Sequence, residues 1–167
     1  FRAAHITTGE IFRQEIERHT VLGKRVCSRV DSGQLVSDVL TNAIIAKRLR
    51  QPDARRRGFI LDGYPRNGSQ LRALLRAARL TGAIVIRLPD REAVRRIAGR
   101  RNCVCGMIYH VQFHPPRRAG FCDACGRRLF IRQDDRPAVI RRRIRNYHRQ
   151  TAPLLEYFRR RGLLVSV

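Results

Sequence analysis

Apolar positions along this chain follow two alternating rhythms. Short apolar runs at Ala3–Ile6, Phe59–Leu61, Ala83–Leu88 and Leu163–Val167 are bounded by Thr, Gly, Pro or Asp and read as strands. Between them the spacing lengthens to the helical period. Ile11, Phe12 and Ile16 predict a helix from Thr8, as N-cap, with Glu10 in its first turn, to about Thr20. Leu22-Gly23 interrupts that pattern, and a second short helix is expected to end near Val30. Asp31-Ser32-Gly33-Gln34 is a turn cluster, and Leu35-Val36-Ser37-Asp38 opens a longer helix through Arg50, closed by Pro52. The basic run Arg55-Arg56-Arg57 reads as a solvated connection into the next strand. Further helices are predicted from Ser69 to about Leu80, with Leu71, Leu74 and Leu75 inward, and from Glu92 to Ala98. A very basic helix is expected from Pro137 to Arg149, then one from Thr151 to Arg161 with Leu154, Leu155 and Phe158 inward. Strand and helix alternating at this spacing predict an α/β fold with a parallel sheet covered on both faces.

From Gly99 to about Arg136 the pattern gives way to Cys, Gly, Pro and aromatic residues. Cys103-Val104-Cys105-Gly106 and Cys122-Asp123-Ala124-Cys125-Gly126 have the look of a zinc knuckle, with a glycine after each pair for the turn. The first pair is C-x-C, tighter than C-x-x-C, so His110 or His114 stands as an alternative ligand, and disulfides or plain thiols as alternatives to a metal. Cys27 reads as a small core residue.

At 167 residues and 43% hydrophobic, the chain suits one globular domain with a small insertion. No apolar run is long enough to span a membrane, and Phe1-Arg2-Ala3-Ala4-His5 has no signal-peptide pattern, so a cytoplasmic protein is expected. Phe1 in place of an initiator Met suggests a piece of a longer protein. The net charge is +23, yet Lys24 and Lys47 are the only lysines. Such a balance favours polyanionic partners, nucleotides or nucleic acid. The arginines are scattered through the chain, which speaks against a dedicated nucleic-acid arm.

Candidate chemistry centres on Gly58-Phe59-Ile60-Leu61-Asp62-Gly63-Tyr64-Pro65-Arg66. A buried strand running into this turn presents Asp62 and Arg66 at its carboxyl end, where ligands sit in open α/β sheets. The carboxylate suits a hydrated cation and the guanidinium a phosphate; a turn with merely solvated charges is the plain alternative. Thr7, Thr8 and Arg13, at a helix N-terminus, can likewise hold an anion, although a simple cap accounts for Thr8 equally well.

These residues together resemble the adenylate kinase family, in the long form with a zinc-bearing lid. The matching runs are His5 to Arg13, Leu35-Val36, Gly58 to Arg66 with Gln70, Gly99-Arg100-Arg101, Tyr109-His110, Arg132-x-Asp134-Asp135, Arg143, and Tyr147 through Thr151 to Pro153-Leu154. The resemblance implies a P-loop-kinase-like parallel sheet with helices on both faces. It implies a core at 1–6, 37–98 and 137–167, an AMP-binding flap at 7–36 and a zinc-knuckle lid at 99–136 that closes over ATP. It implies the reversible transfer ATP + AMP ⇌ 2 ADP by a monomer. Thr8, Gly9, Arg13, Val36, Gly63, Arg66 and Gln70 fall where the family binds AMP, with Gln70 on the adenine edge. Asp62 falls where a carboxylate orients the waters of Mg²⁺ brought with ATP. Arg96, Arg100, Arg132 and Arg143 fall where arginines converge on ATP phosphates and the group in flight. Cys103, Cys105, Cys122 and Cys125 would hold a structural Zn²⁺.

Three departures are visible. Glu10 stands for the family's usual Asp, a mild change. The phosphate-cradling loop G-x-x-x-x-G-K-S/T and its strand, which should precede His5, are not in these residues, nor is the C-terminal helix. Gly23-Lys24 is no substitute, since Arg18 stands where the first Gly belongs and Arg25 where Ser or Thr is needed. The expectation is a fragment of a kinase that does not turn over by itself. The alternative is a basic, non-catalytic binding module for RNA on the same scaffold.

Overall fold

The computed structural model describes residues 2–167. The chain divides into two compact units: the stretch up to Val30 with Gln34–Arg87 and Arg145–Val167, and Asp31–Gly33 with Leu88–Ile144.

In the first unit, β1 (Ala4–Thr7) pairs in parallel with β2 (Phe59–Asp62), setting Ile6 opposite Leu61 and Thr7 opposite Asp62. Between them in sequence lie α1 (Thr8–Glu17), α2 (Val21–Asp31), α3 (Asp38–Leu49) and α4 (Pro52–Arg57). Then come α5 (Gly68–Ala77) and β3 (Ala83–Val85); after the second unit, α8 (Leu154–Arg160) leads into β6 (Leu164–Ser166), parallel to β3. Ile6, Ile45, Leu49, Ala54, Tyr64 and Leu74 bury one another beneath β1 and β2. Leu71, Leu154 and Phe158 form a separate cluster with Leu164, and Phe12, Val26 and Val36 a third.

The strands are parallel as expected, but they form two pairs, β1-β2 and β3-β6, and not one sheet. Among the described residues no strand joins β2 to β3, and Ile60, Ile84 and Val165 are exposed. Parallel strands lie normally buried on both faces under covering elements, and at Ile60, Ile84 and Val165 that cover is lacking.

Several local expectations change for physical reasons. Gly23 does not break a helix; it lies within α2, where an added Cβ would sit 2.1 Å from the Glu15 carbonyl oxygen. Only glycine lets the α1 and α2 backbones approach so closely. The cap of α2 is Thr20, whose hydroxyl oxygen accepts the Gly23 N–H at 3.0 Å and donates to Glu15 Oε2 at 2.6 Å. Arg55–Arg57 are exposed yet helical: Pro52 starts α4, and Arg48 grips Asp53 with both guanidinium nitrogens at 2.8 and 2.6 Å. Leu75 is exposed, because the buried stripe of α5 is Gln70, Leu71 and Leu74. The basic helix ends earlier, α7 being Pro137–Asn146, and continues as a π-turn over Tyr147–Thr151. Cys27 is half-buried, outside the fully buried core.

In the second unit, α6 (Asp90–Ala98) precedes the antiparallel pair β4 (Arg100–Asn102) and β5 (Ile108–His110). A 3₁₀ turn at Gln133–Asp135 leads into α7. No helix among the described residues is long and apolar enough to cross a membrane.

Candidate functional site

In the first unit the site is built at the carboxyl ends of β1 and β2. The sequence predicts Thr8 as a helix cap, but the N-cap position is Thr7 and makes no side-chain cap bond. Thr8, buried, instead donates its hydroxyl to the Gly63 carbonyl at 3.1 Å. The same carbonyl accepts Arg66 Nε at 2.8 Å, so one backbone oxygen fixes both side chains. Gly63 has φ +74°, and an added Cβ would come within 2.9 Å of Arg66 Nη2 and 3.1 Å of Thr8 Oγ1. The position therefore needs glycine for backbone and space alike. Thr151 from the π-turn donates to the Arg66 carbonyl at 2.8 Å, securing the arginine's backbone.

Gln70 is 2% exposed and committed on both sides of its amide. Its Oε1 accepts the Arg66 N–H at 2.7 Å and its Nε2 donates to Asp38 Oδ1 at 2.9 Å. Asn67 donates to the same Asp38 oxygen at 2.9 Å, and its own Oδ1 caps α5 by accepting the Gln70 N–H at 2.9 Å. Tyr64, beneath, donates to Asn42 Oδ1 at 2.7 Å; burial, and then the Asp38 charge, push its hydroxyl above the ordinary tyrosine value. Arg13 folds over Gly9, where an added Cβ would sit 3.1 Å from its Nη1. Val36 is buried with Phe12 and Val26, and Asp62 ends β2 exposed to solvent. Thr8, Gly63, Arg66 and Gln70 thus form one hydrogen-bonded cradle. Asp38 and Asn67, assigned no role from sequence, complete it; the N-cap position of Asn67 before α5 was the available signal.

In the second unit the turn Asp134-Asp135 gathers three of the arginines singled out in the sequence. Arg100 pairs with Asp135 at 3.2 Å, and Arg143 with Asp134 at 3.3 Å. Arg132 N-caps the turn, its carbonyl accepting the Asp135 N–H at 3.1 Å. Asp135 is 1% exposed; burial raises its pKa, and the Arg100 charge opposes the rise. Asn102 donates to its second oxygen at 3.4 Å. Arg96 stands apart from this group, held by Glu92 at 2.7 Å and lying 5.4 Å from the centre of the Phe113 ring.

The sulfur atoms of Cys103, Cys105, Cys122 and Cys125 lie within 4.8 Å of one another. The Cys103–Cys125 and Cys105–Cys122 separations are 3.4 and 3.6 Å. A tetrahedral site with metal–sulfur bonds of about 2.3 Å needs sulfurs about 3.8 Å apart, so the donors fit a metal. Gly106 and Gly126 take φ +92° and +70°, turning the chain after each pair. Neither histidine belongs to this group, which consists of the four sulfurs; His110 Nδ1 accepts the Gln112 and Phe113 N–H groups at 3.0 and 3.1 Å, and the His114 ring stacks on Tyr109. The Tyr109 hydroxyl accepts the Asp123 N–H at 2.8 Å, which turns its own proton toward Cys122 Sγ at 3.5 Å. That bond, aided by the Cys125 and Ala124 N–H groups, brings the Cys122 thiol down to about 6. For Cys103 the backbone bond from Cys105 favours the thiolate, but burial and the neighbouring sulfurs outweigh it and push the thiol up to about 12.

The family profile described as adenylate kinase matches residues 1–163. An adenylate kinase of Symbiobacterium thermophilum is 47% identical over 98% of this chain and 78% of its own length. Those of Treponema denticola and Methanothrix thermoacetophila are each 41% identical over 100% of this chain and 80% of theirs.

Proposed function

The chain belongs to the adenylate kinase family of nucleoside-monophosphate kinases, and from that premise we propose how its residues serve the reversible transfer ATP + AMP ⇌ 2 ADP. The cradle at the end of β2 carries the reading. Arg66, held by its Nε on the Gly63 carbonyl, presents its guanidinium at the end of β2 as the group that takes a phosphate. Arg13 supplies a second guanidinium from α1, Thr8, Gly9 and Gly63 shape the floor, and Val36 and Gln70 receive the adenine. These residues act as the AMP site, with 7–36 as its flap on the core at 1–6, 37–98 and 137–167.

In the segment 99–136 and its flanks, Arg100, Arg132 and Arg143, with Arg96, bind the phosphates of ATP and the phosphoryl group in flight. The accepting AMP phosphate is already ionised at neutral pH, so transfer asks for alignment and charge neutralisation more than for a base. Guanidinium forks meet both needs, and Asp134 and Asp135 hold two of them oriented before any nucleotide arrives. Asp62 would orient the waters of Mg²⁺ brought with ATP, and the ion would supply charge neutralisation at the phosphates. Cys103, Cys105, Cys122 and Cys125 would hold Zn²⁺ as a structural tie within the lid, which excludes water when closed. Such a site needs reduced thiols, which supports the cytoplasm as its compartment.

The test is ADP formation from MgATP and AMP by the protein as its gene encodes it. Arg143→Ala should lower kcat on the order of a thousandfold with little change in the KM for AMP. Equal kcat in the variant, or no ADP from the unaltered protein, contradicts the reading.

A further inference from the structure

A glutamine amide is ambiguous by nature: turned over, it exchanges donor for acceptor with almost no change of shape. Adenine offers a donor at N6 beside an acceptor at N1, whereas guanine offers an acceptor at O6 beside a donor at N1. A freely turning glutamine can therefore match either base, and one held in a single orientation can match only one. In this chain Gln70 is held. Its Oε1 takes a backbone N–H from Arg66 and its Nε2 faces the Asp38 carboxylate, so a flipped amide would set N–H against N–H and oxygen against carboxylate. One lone pair on Oε1 and one hydrogen on Nε2 remain for a base, in a fixed order. Asp38 is itself positioned at the start of α3 and shared with Asn67, which prevents it from following a turning amide.

We propose that Asp38 is a specificity-determining positioning residue: by fixing the amide of Gln70 it selects adenine over guanine in the nucleoside monophosphate. This deepens the reading that Gln70 meets the base and rests on it. One oxygen, Oδ1, accepts both Gln70 and Asn67, so the lock depends on a carbonyl-type acceptor at this place and not on the negative charge.

The experiment measures dissociation constants of AMP and GMP by calorimetry for the unaltered chain and for Asp38→Ala, Asp38→Ser and Asp38→Asn. Serine is accepted at a helix start but is too short to reach Gln70, so it tests the lock should alanine impair folding. The GMP-to-AMP ratio of dissociation constants should fall about tenfold in the alanine and serine variants, the effect of one lost hydrogen bond. Asparagine, which retains the acceptor oxygen, should restore the ratio. An unchanged ratio in the serine variant, with AMP still bound, overturns the role of Asp38 alone, as does an asparagine variant that behaves like serine. An unaltered chain that binds neither nucleotide overturns the nucleotide-site reading, and the inference with it.

Discussion

Gly63 has less freedom to change than any other residue of the cradle. Its positive φ and the two polar atoms that an added methyl would meet make Gly63→Ala both strained and obstructive. The expected cost is about 1–2 kcal/mol of stability, with AMP affinity reduced about tenfold or more as Arg66 is pushed from its carbonyl. Denaturant titration and calorimetry read the two effects separately, and unchanged AMP affinity in a folded variant would contradict the cradle. At the same scale, Tyr109→Phe removes the hydroxyl that turns to Cys122 and also orphans the Asp123 N–H. Zinc affinity measured by chelator competition should fall about 10–100-fold; equal affinity would show that the phenol has no part in holding the thiolate. Residues of this kind divide sharply in how legible they are. Arg66 and Gly63 could be picked from the strand-and-turn pattern, but Thr8 looked like a cap because its real partner lies far along the chain. Asp38 gave no signal at all, since a carboxylate in a first helical turn is ordinary.

At the scale of elements, helices were easier to read than their ends. Leu71 and Leu74 of α5 and the packing of Leu154 and Phe158 in α8 followed from periodicity and Leu75 did not, while α2 ends as expected but starts before Gly23, which serves a helix crossing and not a break. The knuckle was legible as Cys pairs with glycines, and its four sulfurs with it; the choice between them and His110 or His114 needed the folded chain, which gathers the sulfurs alone. This makes a prediction about order. Metal removal by a chelator should abolish hydrogen-exchange protection between Cys103 and Leu129, where short bridges and buried thiols hold the segment. Protection in β1 and β2, which rest on their own apolar cluster, should persist. Equal loss in both places would mean that the knuckle is not a separately stabilised element.

For the molecule as a whole, 36 Lys and Arg against 13 Asp and Glu leave +23, and some of the arginines are paired with acids along the helices. Glu92 pairs with Arg96 and Arg95, Glu156 with Arg160 and Arg159, and Asp53 with Arg48. Hydrogen bonds from these arginines hold all three carboxyls below their ordinary values. Lowered folded values give stability that is present above the ordinary pKa and lost as pH falls through the depressed one. Asp135 runs the other way: its raised value favours folding at low pH, and that contribution is lost as pH rises through it. Three groups against one, with growing net positive charge, predict a thermal midpoint that declines below about pH 4.5, the ordinary glutamate value. Glu92→Gln should flatten the decline, and an unchanged slope in that variant would contradict the assignment.

The fold class was legible at this scale through the alternation of strands and helices. The division of the strands into two pairs was foreshadowed by the family's strand that is not in these residues; which strands pair, and in what register, needed the folded chain. Among the scattered arginines, the candidate-site ones are set by backbone at Gly63 and by acids at the turn Asp134-Asp135.

The central claim is that the end of β2 binds the phosphate of AMP, and calorimetric titration of AMP into the 167-residue chain tests it most directly. The account predicts saturable binding at one site per chain, weakened at least a hundredfold by Arg66→Ala and little affected by Arg96→Ala. No binding, or binding indifferent to Arg66, would contradict it.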